Sequence, residues 1–154
     1  AQVAYNLLNP SAASELPPDY PAQDYRRLLD RAQAAGAGVI GIRVVAGGAL
    51  SGTSERHPIA KTAANPFGTG SNYEKDLQRA QRLATLVTEG YAGTLIEAAT
   101  RYAMMPSAIS TILVGMGSPQ HFEDALAAVL KGPLPQAAMD RIAQLQAGFA
   151  GEAR

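Results

Sequence analysis

The sequence predicts an α/β fold: a parallel β-sheet whose strands are joined by helices. Three observations predict it. Strand-like apolar runs alternate with stretches of helical periodicity, in the order strand, helix, strand, helices, strand, helix, helix. The middle run, Val39-Ile40-Gly41-Ile42-Arg43-Val44-Val45, is almost wholly apolar, as a parallel strand covered on both faces must be. Two of the three strands run straight into glycine-rich turns, where parallel α/β sheets place their ligands.

The first strand is expected over residues 2–8 and is closed by Asn9-Pro10, because proline cannot donate to a ladder. Pro17-Pro18-Asp19-Tyr20-Pro21 reads as a loop. A helix follows over about 22–35, with Tyr25, Leu28, Leu29, Ala32 and Ala35 on one face and Gly36 as its stop. The second strand covers 39–45. In it Val39, Gly41 and Arg43 share one face, and the apolar Ile40, Ile42 and Val44 share the face expected to meet the helices.

Residues 53–72 form a long irregular loop, a length usually tied to function or disorder. The next helix spans about 73–89, with Leu77, Ala80, Ala84 and Val87 inward; its Glu74, Lys75, Asp76, Arg79 and Arg82 read as a solvated face. Thr94-Leu95-Ile96-Glu97 is a capping box and opens a helix to about residue 104, stopped by Met105-Pro106. The third strand covers 109–114. Ser118-Pro119 then supplies an N-cap and a first-turn proline to a helix with Phe122, Leu126, Val129 and Leu130 inward. A last helix covers about 135–149.

Three strands cannot close a barrel. A (β/α)8 barrel has eight strands and about 250 residues, so three β/α units are a segment of one, incomplete in this chain and treated as one domain over 1–154. Its two raw edges are expected to pair with another fragment or another copy. Strand-like residues begin at Gln2 with no initiator Met, which points to a truncated or processed product or to a boundary left by tag removal.

Composition excludes several classes. Thirteen basic and thirteen acidic residues cancel, so no basic field draws the chain to nucleic acid or an anionic membrane. No apolar run is long enough to span a bilayer, and the first residues lack the pattern of a signal peptide. The absence of cysteine removes disulfides and thiolate metal sites; it fits a reducing compartment, and a cytoplasmic location is expected.

Chemistry concentrates at the two turns. Gly115, Gly117 and Ser118 stand where a strand meets a helix N-terminus, a place whose free N–H groups attract an anion such as a nucleotide phosphate; a plain tight turn needs the same glycines. Gly47, Gly48, Leu50, Ser51 and Gly52 form a second such loop on the neighbouring strand. Arg43, on the face opposite the apolar one, is expected inside the barrel near its mouth beside a carboxylate, phosphate or carbonyl; a one-residue register change would move it to the solvent rim. An inward Gln2 would suit an amide-bearing ligand. His57 and His121 stand alone in sequence, and no His/Asp/Glu cluster has metal spacing.

In order along nearly the whole chain, these motifs resemble the C-terminal, cofactor-binding half of the aldo/keto reductases. Gln2-Val3-Ala4-Tyr5-Asn6 is similar to that family's sixth strand, where a Gln at the Gln2 position holds the nicotinamide carboxamide. Val45-Ala46-Gly47-Gly48-Ala49-Leu50-Ser51-Gly52 is similar to its seventh-strand loop, which wraps the pyrophosphate, so the resemblance implies cofactor contacts from Val45, Gly48, Leu50 and Ser51. Val44 stands at the place of a family Pro, and Ile42 or Arg43 at that of the aromatic residue under the nicotinamide. Ile112-Leu113-Val114-Gly115 resembles the eighth strand, which implies contacts from Gly115, Met116, Gly117 and Ser118. Asp124 falls at the acidic residue near the adenine, His121 where many members carry Arg for a 2′-phosphate, and Ala125 where they carry Asn.

The resemblance implies a (β/α)8 barrel, NADP or NAD as cofactor, and hydride transfer to or from a small carbonyl or alcohol substrate in the complete enzyme. The family's Asp, Tyr, Lys and His tetrad belongs to earlier strands. No residue here inherits a catalytic role, and Tyr5, Lys61 and His57 are not substitutes. The chain is then expected to be inactive alone and completed by a missing N-terminal half. Two other readings stand beside this one: a non-catalytic half-barrel that self-associates, binds nucleotide or acts as a scaffold, and an unrelated α/β nucleotide-binding domain.

Overall fold

The structure, a computed structural model, describes residues 1–55, 57–60 and 66–152. Lys61 lies outside them. The sheet has three parallel strands, β1 (Gln2–Ala4), β2 (Val39–Ile42) and β3 (Ile109–Ile112), in the spatial order β1-β2-β3. Gln2 pairs with Ile40 and Ala4 with Ile42; on the other side Val39 pairs with Ile109 and Gly41 with Ile112, across an irregularity at Val39/Ile40. Neighbours in space are neighbours in sequence, with no reversal of winding. That is the order of a barrel segment, and no switch point lies within these three strands.

The helices are α1 (Leu28–Ala34), α2 (Tyr73–Leu83), α3 (Thr85–Thr88), α4 (Leu95–Ala103), α5 (Pro119–Leu130) and α6 (Gln136–Ala147). Together with one face of the sheet they bury Val3, Tyr5, Leu7, Leu29, Val39, Leu83, Leu86, Ile142 and Phe149 in one core. Tyr5 stacks on Tyr102 of α4, with ring centroids 5.0 Å apart, and burial pushes both hydroxyls well above the ordinary phenol range. None of the described helices is long and apolar enough to cross a membrane.

Several local expectations are corrected. The first strand stops at Ala4 because the Asn6 side chain accepts from the N–H groups of Leu8 (2.9 Å) and Asn9 (3.1 Å), which curls the chain. The helix expected from residue 22 starts only at Leu28. Before it, residues 23–27 are tied to an earlier turn: Asn9 and Ser11 donate to the Gln23 carbonyl, and Ser11 accepts from the N–H groups of Tyr25 and Arg27. Arg26 and Arg27 there adopt positive φ. Val39, expected on the barrel side of β2, lies in the helix-side core, while Ile40 and Ile42 are only half-buried. A strand apolar throughout carries no alternation to set its phase.

The helix over 73–89 breaks at Ala84 into α2 and α3. Its buried face carries Asp76, Arg79, Ala80, Leu83 and Leu86, so two charges expected in solvent are interior. On α5 the small residues Ala125 and Ala128 are the buried ones, and Phe122, Leu126, Val129 and Leu130 are exposed. No described element covers that apolar face.

The capping signals at Thr94 and Ser118 hold, and Asn72 supplies a further cap that the sequence reading did not include. Thr94 accepts from the Glu97 N–H at 3.0 Å, Asn72 from Lys75 at 2.9 Å, and Ser118 from His121 at 3.3 Å. Glu97 reaches back one residue beyond the usual partner, to the Gly93 N–H, and also binds Arg101 and Lys131. Burial alone would raise the Glu97 carboxyl; those bonds hold it below its ordinary range. Thr94→Ala is expected to cost about 1 kcal/mol, read as a lower urea midpoint with an unchanged slope.

Candidate functional site

Beyond the C-terminal ends of β2 and β3 lies a cavity of about 590 Å³. Its first wall is the turn after β2. Arg43 (φ 59°) and Ala46 (φ 48°) take left-handed conformations that cost a non-glycine residue about 1–2 kcal/mol each. Local bonds hold them: Asn6 Nδ2 donates to the Arg43 carbonyl (2.9 Å), as does the Ala46 N–H (2.8 Å), and the Gly48 N–H donates to Val45 (2.8 Å). Gly47 (φ 66°) and Gly48 (φ 102°) then carry the chain through a 3-10 segment, Ala46–Ser51. Ala49 and Leu50 are fully buried beneath it.

The second wall follows β3. Leu113 continues the ladder by donating to the Gly41 carbonyl at 2.8 Å, and the chain then turns through Gly115-Met116-Gly117 into α5. A Cβ on Gly115 would meet nothing within 4 Å. Among the described residues, nothing accepts from the backbone N–H of Gly115 or Met116. These are unspent donors lining a cavity. The Gly117 N–H is spent, on Nδ1 of His121 at 3.1 Å.

The remaining wall comes from His121, Asp124 and Ala125 of α5, from Glu55, His57 and Ile59 of the long loop, and from Tyr73 and Ile96. The Arg43 guanidinium projects over Phe67, 5.8 Å from the ring centroid. Two carboxylates, Glu55 and Asp124, line the same cavity, and Asp124 accepts from Gln120 at 2.9 Å. No described group of three acidic or histidine side chains could hold a metal ion.

The fold therefore brings Arg43, Val45, Gly48, Ser51, Gly115, Met116, Gly117, His121 and Asp124 to one cavity. Three others stand apart. Gln2 is exposed at the opposite end of β1, paired with Ile40, which puts it about 10 Å upstream of Arg43 along the strands. Leu50 supports the first turn from below, and the Ser118 hydroxyl is used in capping α5. His57, Tyr73 and Ile96 are contributed by tertiary folding alone. No local pattern in the sequence marks them.

The sequence profile of the aldo/keto reductase family matches residues 1–147. The chain belongs to that family. This aldo/keto reductase chain is also similar in structure to a glycerol dehydrogenase from Gluconobacter oxydans, with a TM-score of 0.66. Sequence identity is 15%, over 99% of this chain and 43% of that one. The likeness is one of fold, and it makes the three-stranded sheet a partial (β/α)8 barrel. The aldo/keto reductase chain spans less than half the length of that structure. No curated protein is significantly similar in sequence.

Proposed function

We propose that this chain is the cofactor-binding part, over 1–154, of an NAD(P)-dependent aldo/keto reductase, an oxidoreductase acting on a small carbonyl or alcohol in the cytoplasm. The observation that carries the reading is the meeting of two glycine-rich strand-end turns in one cavity. There the N–H groups of Gly115 and Met116 have no described acceptor, and Arg43 lines the same cavity. Oriented backbone N–H groups at a strand end form an anion cradle, and glycine lets a phosphate approach the backbone. The cavity is of the size usual for small-ligand sites.

Bound there, NADP or NAD would supply the hydride acceptor or donor. The chain's own residues bind and orient: the two turns and Arg43 the phosphates, His121 and Asp124 the adenosine end. Gln2 could hold a carboxamide only if its end of β1 moved or another part of the barrel brought the ring to it. Catalytic acid and base groups come, on this reading, from a missing N-terminal half, and the chain alone turns over no aldehyde.

The test is a fluorescence titration of the purified chain with NADPH and NADH, alongside native mass spectrometry. One nucleotide per chain is expected. Gly115→Val, which points bulk into the open cavity without meeting any neighbour, is expected to weaken binding about tenfold or more. A chain that takes up neither nucleotide, or a Gly115→Val variant that binds as well as the parent, contradicts the reading. The exposed apolar face of α5 favours a second one, a half-barrel that self-associates without catalysis. A discrete oligomer with no nucleotide bound would support it.

A further inference from the structure

Phe67 is a large apolar side chain left 50% exposed, so burial does not explain its place. The backbone beside it is held without help from the ring. The Gly68 carbonyl accepts from the Gln23 N–H at 3.0 Å and from Asn9 Nδ2 at 2.6 Å, and the Thr69 hydroxyl donates to buried Asp76 at 2.8 Å. Arg43 is held in the same way: Asn6 Nδ2 and the Ala46 N–H both donate to its carbonyl and fix its left-handed turn. Two anchored backbone segments, far apart in sequence, thus bring a guanidinium over an aromatic face. Arg43 Cζ stands 5.8 Å from the Phe67 centroid, inside the range of cation–π attraction.

Among the described residues the Arg43 guanidinium makes no hydrogen bond and no ion pair, although Glu55 and Asp124 line the same cavity. A carboxylate partner would occupy its N–H fork. An aromatic face holds the planar cation by its plane and leaves the N–H edges open to an incoming anion. Arg43 lines the cavity and Phe67 does not, so a ligand there meets the arginine and not the ring. We propose that Phe67 is a positioning residue: it holds the Arg43 guanidinium ready for the phosphates of a nucleotide and makes no contact with them itself. A long arginine side chain loses rotamer freedom when it grips a ligand, and a ring already stacked beneath it removes part of that cost. This role rests on the reading of the cavity as a nucleotide site.

The experiment is a fluorescence titration of the full chain with NADPH and NADH, for the parent, Phe67→Leu, Phe67→Tyr, Arg43→Gln and the double variant Phe67→Leu/Arg43→Gln. Phe67→Leu is expected to weaken binding about threefold to fivefold, the scale of one exposed cation–π contact. Phe67→Tyr keeps the aromatic face and is expected to bind like the parent. In the Arg43→Gln background the loss of the ring should change nothing further, because its effect passes through the guanidinium. NMR relaxation of the Arg43 Nε–H group, measured without ligand, should show an ordered side chain in the parent and a mobile one in Phe67→Leu. A Phe67→Leu variant that binds as tightly as the parent, a Tyr variant as weak as the Leu one, or an equal loss with and without Arg43 would each overturn the role. So would an Arg43 side chain equally mobile in parent and variant. A parent that takes up neither nucleotide would overturn the reading of the cavity as well, whereas a parent that binds and a silent Phe67→Leu overturn the positioning role alone.

Discussion

Replacing Arg79 by methionine is expected to remove about 3–5 kcal/mol of stability, the loss typical of breaking a buried ion pair by deleting one partner. Asp76 and Arg79 are almost fully buried on the inner face of α2. One Asp76 oxygen accepts from the Thr69 hydroxyl at 2.8 Å. The other has no hydrogen bond and faces the Arg79 guanidinium at 3.6 Å. Arg79 in turn donates to Glu152 at 3.0 Å, and Arg82 binds the same carboxylate, which ties the C-terminal segment to α2.

Burial pushes the Asp76 carboxyl up, more than Thr69 and Arg79 draw it down. Without Arg79 that rise grows. A raised folded-state pKa contributes stability below the unfolded pKa and loses it as pH rises through the folded one, so the variant should be worst near neutrality. Glu152 runs the other way: burial would raise it, but Arg79 and Arg82 hold it below its ordinary range. Its contribution is present above the unfolded pKa and fades as pH falls through the folded one, so the parent loses it in acid. The gap between parent and Arg79→Met should therefore narrow as pH falls from 7 through the ordinary carboxylate range, about pH 4, in urea unfolding. Asp76→Asn, which removes the desolvated charge and keeps an acceptor for Thr69, should cost much less. A deficit under about 1 kcal/mol, or one that widens toward acid, would contradict this account.

That network shows where sequence reasoning stops. Glu74, Lys75, Asp76, Arg79 and Arg82 have the spacing of an exposed, self-paired helix face, and only a partner distant in sequence, Glu152, turns part of it inward. Residues 22–27 fail in the same way. Their helical periodicity is real, but Asn9 and Ser11 capture the backbone first. On α5 the pattern names the apolar positions but not which of them meets α4, and alanine wins because it allows close approach. What was legible was local: strand identity and order, both glycine-rich turns, and the caps at Thr94 and Ser118, each fixed by residues within a few positions of one another. The cavity was legible to the extent that it is built from strand ends. His57 was not, because its place against Gly117 depends on how a long loop returns.

Gly70→Ala is expected to be the costliest glycine substitution in that returning loop, and Gly36→Ala provides its control. Both glycines have φ of 63°, so a side chain at either pays the same left-handed penalty, about 1–2 kcal/mol. At Gly36, just past α1, an added Cβ meets nothing within 4 Å, and the backbone penalty is the whole effect. At Gly70 the Cβ would collide with the Pro21 carbonyl oxygen, a backbone atom with no rotamer to escape into. Neither side can readily yield. Gly68 next to it accepts from the Gln23 N–H and from Asn9 Nδ2, Thr69 is bonded to buried Asp76, and Asn72 caps α2. The expected total is about 3 kcal/mol or more, in the range reserved for strained or overpacked sites. The difference between the two variants in urea midpoint isolates the collision from the shared backbone cost. Equal losses would mean that the 21–22 segment gives way, and that the loop is not clamped there. A large difference would mean that the same clamp fixes the start of α2, and with it Tyr73 on the cavity wall.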